Sequence, residues 1–246
     1  MSSIDLSLVL PFYNEEKNVE WVLEEMIAAF DRNPFKYELI AVQNGSRDRT
    51  SELLDRLCLK HPQLKKITVD VNQGYGWGIL QGLKRASGNY VGYTPGDGQV
   101  PPEDITGVFL KAKELDLDFV QGKRIRKDTF LRRLNTRIYN FIFHLFFRCG
   151  VYDIGSNPKI MKKDWFEKLD LVSKDWFIDG EIALKTHVHG GKMKEFPVAF
   201  RKREGGKSKI NIGAALQMLK NVILWKWRMM KDPGAKAPSA AVSKAG

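Results

Sequence analysis

The residues best placed to do chemistry lie in the loop GDGQVPPED, residues 96–104. Asp97 is a carboxylate between two glycines, just past an apolar run that ends at Tyr93 or Thr94. Gln99 offers a neutral oxygen two residues on. Oxygen donors of this kind hold hard divalent cations, and flanking glycines let a bulky anionic ligand approach the backbone. The same residues also make an ordinary turn, in which Asp and Gly serve the chain geometry. A second loop, PFYNEE, brings Tyr13, able to stack on a flat ring, and Glu15, able to accept hydrogen bonds from a base or ribose. Its other reading is a helix start capped by Asn14, with Glu15 and Glu16 favouring the N-terminus. The loop QNGSRD reads likewise as a turn and a helix start. Further on, Asp179 and Glu181 in WFIDGEIALK are carboxylates that can take a proton from a hydroxyl. Two residues apart on a helix they point about 200° apart and do not form one pair. Negative charge at a helix N-terminus accounts for them equally.

These loops need elements to position them. DLSLVL reads as a buried strand stopped by Pro11, and EEKNVEWVLEEMIAAF has its apolar residues at helical spacing. Strands at 37–42, 66–71, 89–93 and 118–121 alternate with helices from Thr50 to about Leu59, at 74–86 and at 104–115. The alternation predicts an α/β domain with a mainly parallel sheet. In such sheets ligands bind at the carboxyl ends of the strands, where all three early loops fall. Beyond residue 122 the pattern changes. Residues 129–148 predict one aromatic, basic helix; 155–161 and 193–200 predict strands, with a helix at about 178–189 between them. Residues 211–231 predict a second aromatic, basic helix, and 232–246, rich in Ala, Pro, Ser and Gly, a disordered tail.

The chain has 246 residues, 43% of them hydrophobic, enough for a sizeable core. Its net charge of +11 calls for an anionic partner. The excess is local: residues 123–148 carry +7 and residues 192–231 carry +9, while residues 1–122 carry −5. That distribution, with no helix-turn-helix, zinc spacing or RNP motif, argues against nucleic acid as the partner. Two cysteines, Cys58 and Cys149, exclude a disulfide framework and a four-cysteine zinc site, and fit a reducing compartment. The H-x-H pair His187 and His189 has no Cys or carboxylate framing it as a zinc motif. The opening MSSIDLSLVLPFYNEE has no basic n-region or long apolar run, so it does not read as a signal peptide. No stretch reaches the ~18–20 apolar residues of a membrane span. Residues 129–148 are nonetheless too apolar for one buried stripe, and Trp225 and Trp227 stand beside Lys220, Lys226, Arg228 and Lys231. Trp with Lys and Arg suits a bilayer interface; packing against the sheet or a second subunit is the alternative for the first helix.

Taken in order, LSLVLPFYNEE, YELIAVQNGSRDRT, NQGYGWGILQGLKRASGNYVGYTPGDGQVPPEDI, WFIDGEIALK and EFPVAFRKREGGKSKI resemble the motifs of glycosyltransferase family 2. Within it they look most like the dolichyl- and polyprenyl-phosphate mannose and glucose synthases, over about residues 5–212. The resemblance implies a GT-A fold over residues 1–210, with a nucleotide-binding half at 1–122 and an acceptor half at 123–210. It implies a nucleotide-sugar donor (a GDP- or UDP-sugar), Mg²⁺ or Mn²⁺, and inversion at the sugar carbon. By position, Pro11, Tyr13 and Glu15 line the nucleoside pocket and Asn44 stands at the base-reading aspartate. Asp97 is the second aspartate of D-x-D and, with Gln99, holds the metal. Arg124 binds phosphate, Asp179 and Glu181 lie near the acceptor, and Arg203, Ser208 and Lys209 belong to a basic loop that closes on phosphates.

The departures are chemical. Pro95 replaces the first D-x-D aspartate and cannot ligate, and Gln43–Asn44 replaces Asp-Asp. An amide both donates and accepts where a carboxylate only accepts. Tyr75 stands where the family usually has lysine. The implied activity is hexose transfer to polyprenyl phosphate by an enzyme resting on the cytoplasmic face of a membrane through 129–148 and 211–231, as a possible homo-oligomer. Transfer to a saccharide hydroxyl is the alternative enzyme, and a catalytically silent membrane-bound scaffold the alternative of another class.

Overall fold

The computed structural model describes residues 3–126, 130–201 and 220–227. The chain runs β1 (Leu6–Phe12), α1 (Val19–Phe30), β2 (Tyr37–Asn44), α2 (Thr50–Lys60), β3 (Leu64–Val69), α3 (Tyr75–Leu83), β4 (Tyr90–Tyr93), α4 (Pro102–Glu114), β5 (Phe119–Arg126), α5 (Phe130–Phe146), β6 (Lys159–Lys162), α6 (Lys163–Leu169), α7 (Ile178–Val188) and β7 (Met193–Phe200). Residues 220–227 add a short helical segment.

One seven-stranded sheet has the order β3-β2-β1-β4-β6-β5-β7. β1, β2, β3 and β4 are parallel. β6 runs antiparallel to both β4 and β5, and β5 pairs in parallel with β7. The fold is α/β as the alternation predicts, with β6 as the antiparallel exception. Strand order reverses at β1, which has β2 on one side and β4 on the other, and such a reversal opens a crevice at the strands' carboxyl ends. The loops after β1, β2 and β4 surround it.

Period-2 alternation sends β1 side chains to two cores. Leu6, Leu8, Leu10 and Phe12 pack with α1, α2 and α4; Val9 packs with Tyr93 and the helices α3, α5 and α7 on the other face. Phe143 from α5 is fully buried there, against Phe147 and Phe177.

Several local expectations change. Asn14 does not cap α1. It sits at φ 52 in the turn after β1, and the helix begins only after Asn18. β5 is longer than expected at its carboxyl end, β6 shorter at its amino end, and α6 was not expected. Arg203, Ser208, Lys209, the tail at 232–246 and most of 211–231 lie outside the described residues.

Candidate active site

The loop from Thr94 to Pro101 leaves β4 beside β1, where Thr94 N donates to Val9 O at 3.0 Å. It lies on two aromatic rings. A Cβ at Gly96 would overlap the Phe12 ring, and one at Gly98, which has φ +67°, would overlap Trp21. Asp97 Oδ1 accepts the Gln99 amide N–H at 3.2 Å. Gln99 is pinned to the end of β7. Its Nε2 donates to Arg201 O at 3.1 Å, and Arg201 N donates to Gln99 O at 2.8 Å. One N–H of the Gln99 amide is thereby committed to backbone, and its oxygen is left as an acceptor for a ligand. Among the described residues no cluster of three or more His, Cys, Asp or Glu forms a metal site. Asp97 and Gln99 offer one carboxylate and one amide oxygen, donors of the type a hard cation takes together with water and phosphate oxygens.

The loops after β1 and β2 are tied into one wall. Asn14 N donates to Ser46 Oγ at 3.0 Å, and Asn14 Oδ1 accepts Arg47 N at 2.8 Å. Glu16 N donates to Asp48 Oδ2, and Arg49 N returns a bond to Glu16. This cross-linking is why Asn14 leaves the helix. Pro11 and Tyr13 are half-buried and Glu15 is buried. Glu15 Oε2 accepts Asn18 Nδ2 at 2.6 Å, and Glu15 N donates to Thr50 Oγ1. Asn44 is buried at the end of β2. Its Nδ2 donates to Gly74 O at 3.3 Å, while its Oδ1 has no partner among the described residues. A donor on that bond fixes which amide atom is which, so the Asn44 oxygen is a buried acceptor. Gly78 of α3 lets the helix pass close to this amide.

The opposite wall comes from β5, β6 and α7. Arg124 is bidentate on Asp153 through Nε and Nη2, and its guanidinium lies over Phe200 at 5.7 Å. Asp179, at the first turn of α7, accepts the Tyr93 hydroxyl at 2.5 Å and lies 3.9 Å from Lys159 Nζ. Burial pushes the Asp179 carboxyl up, with Lys159 and Tyr93 pulling it back. Burial likewise pushes the Lys159 ammonium down. Glu181 turns away from Asp179: it accepts Val172 N and Ser173 N and pairs with Lys185 at 2.8 Å. It holds the segment before α7.

That segment reaches across the crevice. Trp77 N donates to Lys174 O at 2.9 Å, Lys174 Nζ lies 4.6 Å from the Trp77 ring, and Trp176 stacks on Tyr75. Burial first, then the Asp179 and Asp97 carboxylates, push the Tyr75 hydroxyl well above the ordinary phenol value, with Asn157 pulling it back. Tyr75 thus stands between the Asp97 loop and α7. Sequence reasoning missed Lys159, Tyr93 and Trp176. Lys159 carries no signal of burial, whereas Trp176 stands directly before the Phe177–Glu181 motif. Arg203 and Lys209 lie outside the described residues and are not located here.

The second helix segment docks on the same assembly. Trp225 stacks on Phe177 at 5.8 Å, Asn221 Nδ2 donates to Asp175 Oδ2, and Lys226 Nζ donates to Phe146 O. Ile138, Phe141 and Leu145 on α5, and Ile223 and Trp227 on the segment, stay about half exposed or more. Among the described residues no helix is long and apolar enough to cross a membrane.

Known proteins resemble this chain throughout. It is 27% identical to the dodecaprenyl-phosphate galacturonate synthase of Rhizobium johnstonii over 95% of the chain and 70% of that protein. It is 25% identical to a dolichyl-phosphate beta-glucosyltransferase of Trichomonas vaginalis over 88% of the chain and 69% of that protein. Among solved structures, glucosyl-3-phosphoglycerate synthase from Mycobacterium tuberculosis, with Mn²⁺, uridine diphosphate and phosphoglyceric acid, superposes with a TM-score of 0.70. It has 17% identity, over 91% of this chain and 78% of that one, and the likeness shows the GT-A fold. The family described as Glycosyl transferase family 2 matches residues 7–170. The chain belongs to glycosyl transferase family 2 and is a glycosyltransferase.

Proposed function

We propose that this glycosyltransferase moves a hexose from a nucleotide sugar to a polyprenyl phosphate at a membrane surface, with inversion at the sugar carbon. One observation carries the choice of acceptor. Among the described residues on the acceptor wall, Asp153, Asp175 and Glu181 have both carboxylate oxygens engaged, by Arg124, by Phe177 N and Asn221, and by Val172 and Ser173, while the buried Asp179 gives one oxygen to Tyr93 beside the Lys159 ammonium. A hydroxyl acceptor needs an open carboxylate to take its proton. A phosphate acceptor arrives ionised and needs none. The polyprenyl-phosphate names of the relatives and the exposed apolar face on α5 and 220–227 support the same reading.

Asp97 and the Gln99 oxygen would hold Mg²⁺ or Mn²⁺. When bound, that ion offsets charge growing on the departing nucleoside diphosphate. The chain's own part is positioning. Tyr13 and Pro11 flank the nucleoside, the buried Asn44 Oδ1 accepts an N–H from the base once the groups that cover it are displaced, and Glu15 braces the wall they stand on. Arg203 and Lys209 of the basic loop meet the phosphates, and Arg124, whose Nε and Nη2 hold Asp153, adds its remaining Nη1 and its charge. In this reading Asp179 and Glu181 position the acceptor wall and take no proton.

The test is a screen of UDP- and GDP-hexoses with Mn²⁺ or Mg²⁺, with and without polyprenyl phosphate. The expected result is a lipid-linked sugar that forms only with metal. Product on saccharide hydroxyls alone would replace the acceptor, and no turnover with any donor would leave a silent scaffold.

A further inference from the structure

Lys159 is wholly buried, in the middle of the sheet. Its Nζ donates to Gln121 Oε1 at 2.8 Å, Ile154 O at 2.9 Å and Ser156 O at 2.8 Å. Three donors meet three oxygens, and Asp179 Oδ1 is the carboxylate beyond them at 3.9 Å. The register explains the arrangement. Tyr93 of β4, Lys159 of β6, Gln121 of β5 and Glu195 of β7 are successive cross-strand neighbours, one polar row across four strands. Directly opposed residues share a face, and the row lies under α7 and the turn at 152–157.

Each end of the row leads to one wall of the site. Tyr93 donates to Asp179, and its backbone runs on into the loop bearing Asp97 and Gln99. Gln121 Nε2 donates to Asp153 O, Glu195 accepts Tyr152 N and Asp153 N, and Asp153 grips Arg124. Lys159 touches both halves. Neutral donors satisfy carbonyl oxygens as well, and an apolar row of the same volume removes the desolvation cost of a buried ammonium. What only a cation adds here is compensation of the Asp179 carboxylate. Among the described residues, the other charged or titratable groups that act on or are acted on by Asp179 are Tyr93 on β4, Tyr75 on α3, Tyr139 on α5, Arg124 on β5 and Asp153 in the turn, with Glu181 of α7 acting on Tyr93.

We propose that Lys159 is a positioning residue for sugar transfer: it keeps Asp179 ionised and ties α7, Tyr93 and the 152–157 turn together, so that the Asp97 loop and Arg124 are held at one spacing. Lys159 does not touch substrate in this account. The proposal rests on the transferase reading above for its kinetic half only.

The experiment compares wild type, Lys159→Met, Asp179→Asn and the double variant, each confirmed folded by circular dichroism. Kinetically, Lys159→Met is expected to lower kcat about ten- to a hundredfold while the donor KM changes less than threefold, because the donor-side groups are untouched. A kcat within twofold of wild type, or a loss that only follows the folded fraction, overturns the positioning role. Spectroscopically, ¹³C-carboxyl NMR at neutral pH, with Asp179 assigned by its absence in Asp179→Asn, is expected to show a carboxylate in wild type and a protonated carboxyl in Lys159→Met. An unchanged resonance overturns the charge link. If Lys159→Met fails to fold, the double variant decides: recovery of the fold supports the ion pair, and continued failure overturns it. A wild type that turns over no donor sinks the transferase reading instead, and the NMR comparison alone then judges Lys159.

Discussion

Tyr75 and Trp176 lie face to face, with ring centroids 4.1 Å apart and planes 16° from parallel. The stack joins the first turn of α3 to the segment that Glu181 holds, so the two sides of the crevice meet through aromatic contact. Offset aromatic pairs contribute about 0.5–1.5 kcal/mol beyond area burial. A double-mutant cycle with Tyr75→Ala and Trp176→Ala in urea is expected to give a coupling in that range. Additive losses would show that the rings are neighbours without being partners.

Removing the oxygen donors of the Asp97 loop gives a graded outcome. Asp97→Ala is expected to abolish the Mn²⁺-dependent part of UDP or GDP binding in calorimetry and to cut turnover at least a hundredfold. Gln99→Ala is expected to weaken metal dependence less, and also to loosen the pin to Arg201. Excess EDTA should reproduce the Asp97→Ala phenotype in the wild type. Equal nucleotide affinity with and without metal would refute the ligand assignment.

Glu38 sets an acid limit on stability. It is buried and accepts Ser7 Oγ at 2.6 Å, Ser87 N and Ser87 Oγ at 2.7 Å each, and Lys65 Nζ at 2.5 Å. Burial pushes its carboxyl up, but the bonds from Lys65, Ser7 and Ser87 outweigh that and hold it at about 2. A depressed carboxyl stabilises the fold above its unfolded value and loses that contribution as pH falls towards about 2. The contribution is on the order of 3 kcal/mol at neutral pH. Urea midpoints should therefore fall between pH 5 and about 2 in the wild type. Glu38→Gln should be weaker at pH 7 and flatter across that window.

The apolar face makes a surface prediction. Wild type is expected to pellet with anionic vesicles at low salt. Phe141→Ser, Leu145→Ser and Trp227→Ser combined are expected to stay in the supernatant with an unchanged circular dichroism spectrum. Apolar burial of about 25 cal/mol per Å² supplies the difference, and added salt should weaken what the nearby Lys and Arg contribute. Wild type remaining unbound under these conditions would remove the membrane from the proposal.

Much of the first 122 residues was legible in sequence because each strand and helix there buries one face locally. The loop residues Tyr13, Asp97 and Gln99 were legible as candidates because they follow those strands, whereas Asn44 entered only through the family resemblance. What escaped depends on distant segments. Asn14 looks like a helix cap beside Glu15 and Glu16, but Ser46 and Arg47 claim it. The antiparallel course of β6 is decided by where the chain returns after α5, which no local pattern encodes. Nothing in NPKIM marks its lysine as buried, and the row with Tyr93 and Gln121 explains how Lys159 is buried. Glu181 was visible as an acid in DGE, but its hold on Val172 and Ser173 is set by the fold.

The glycines under the Asp97 loop bear on how such an enzyme can be re-engineered. Gly96 rests on Phe12 and Gly98 on Trp21, with no room for a side chain at either. A saturation library at these two sites should return almost only glycine. Diversity that leaves the loop path intact is open at Pro95, which is partly exposed and follows the strand. Installing Asp there is the single-codon-site experiment by which this scaffold could be moved toward a fuller ligand set, with the aromatic floor serving as a ready-made mould.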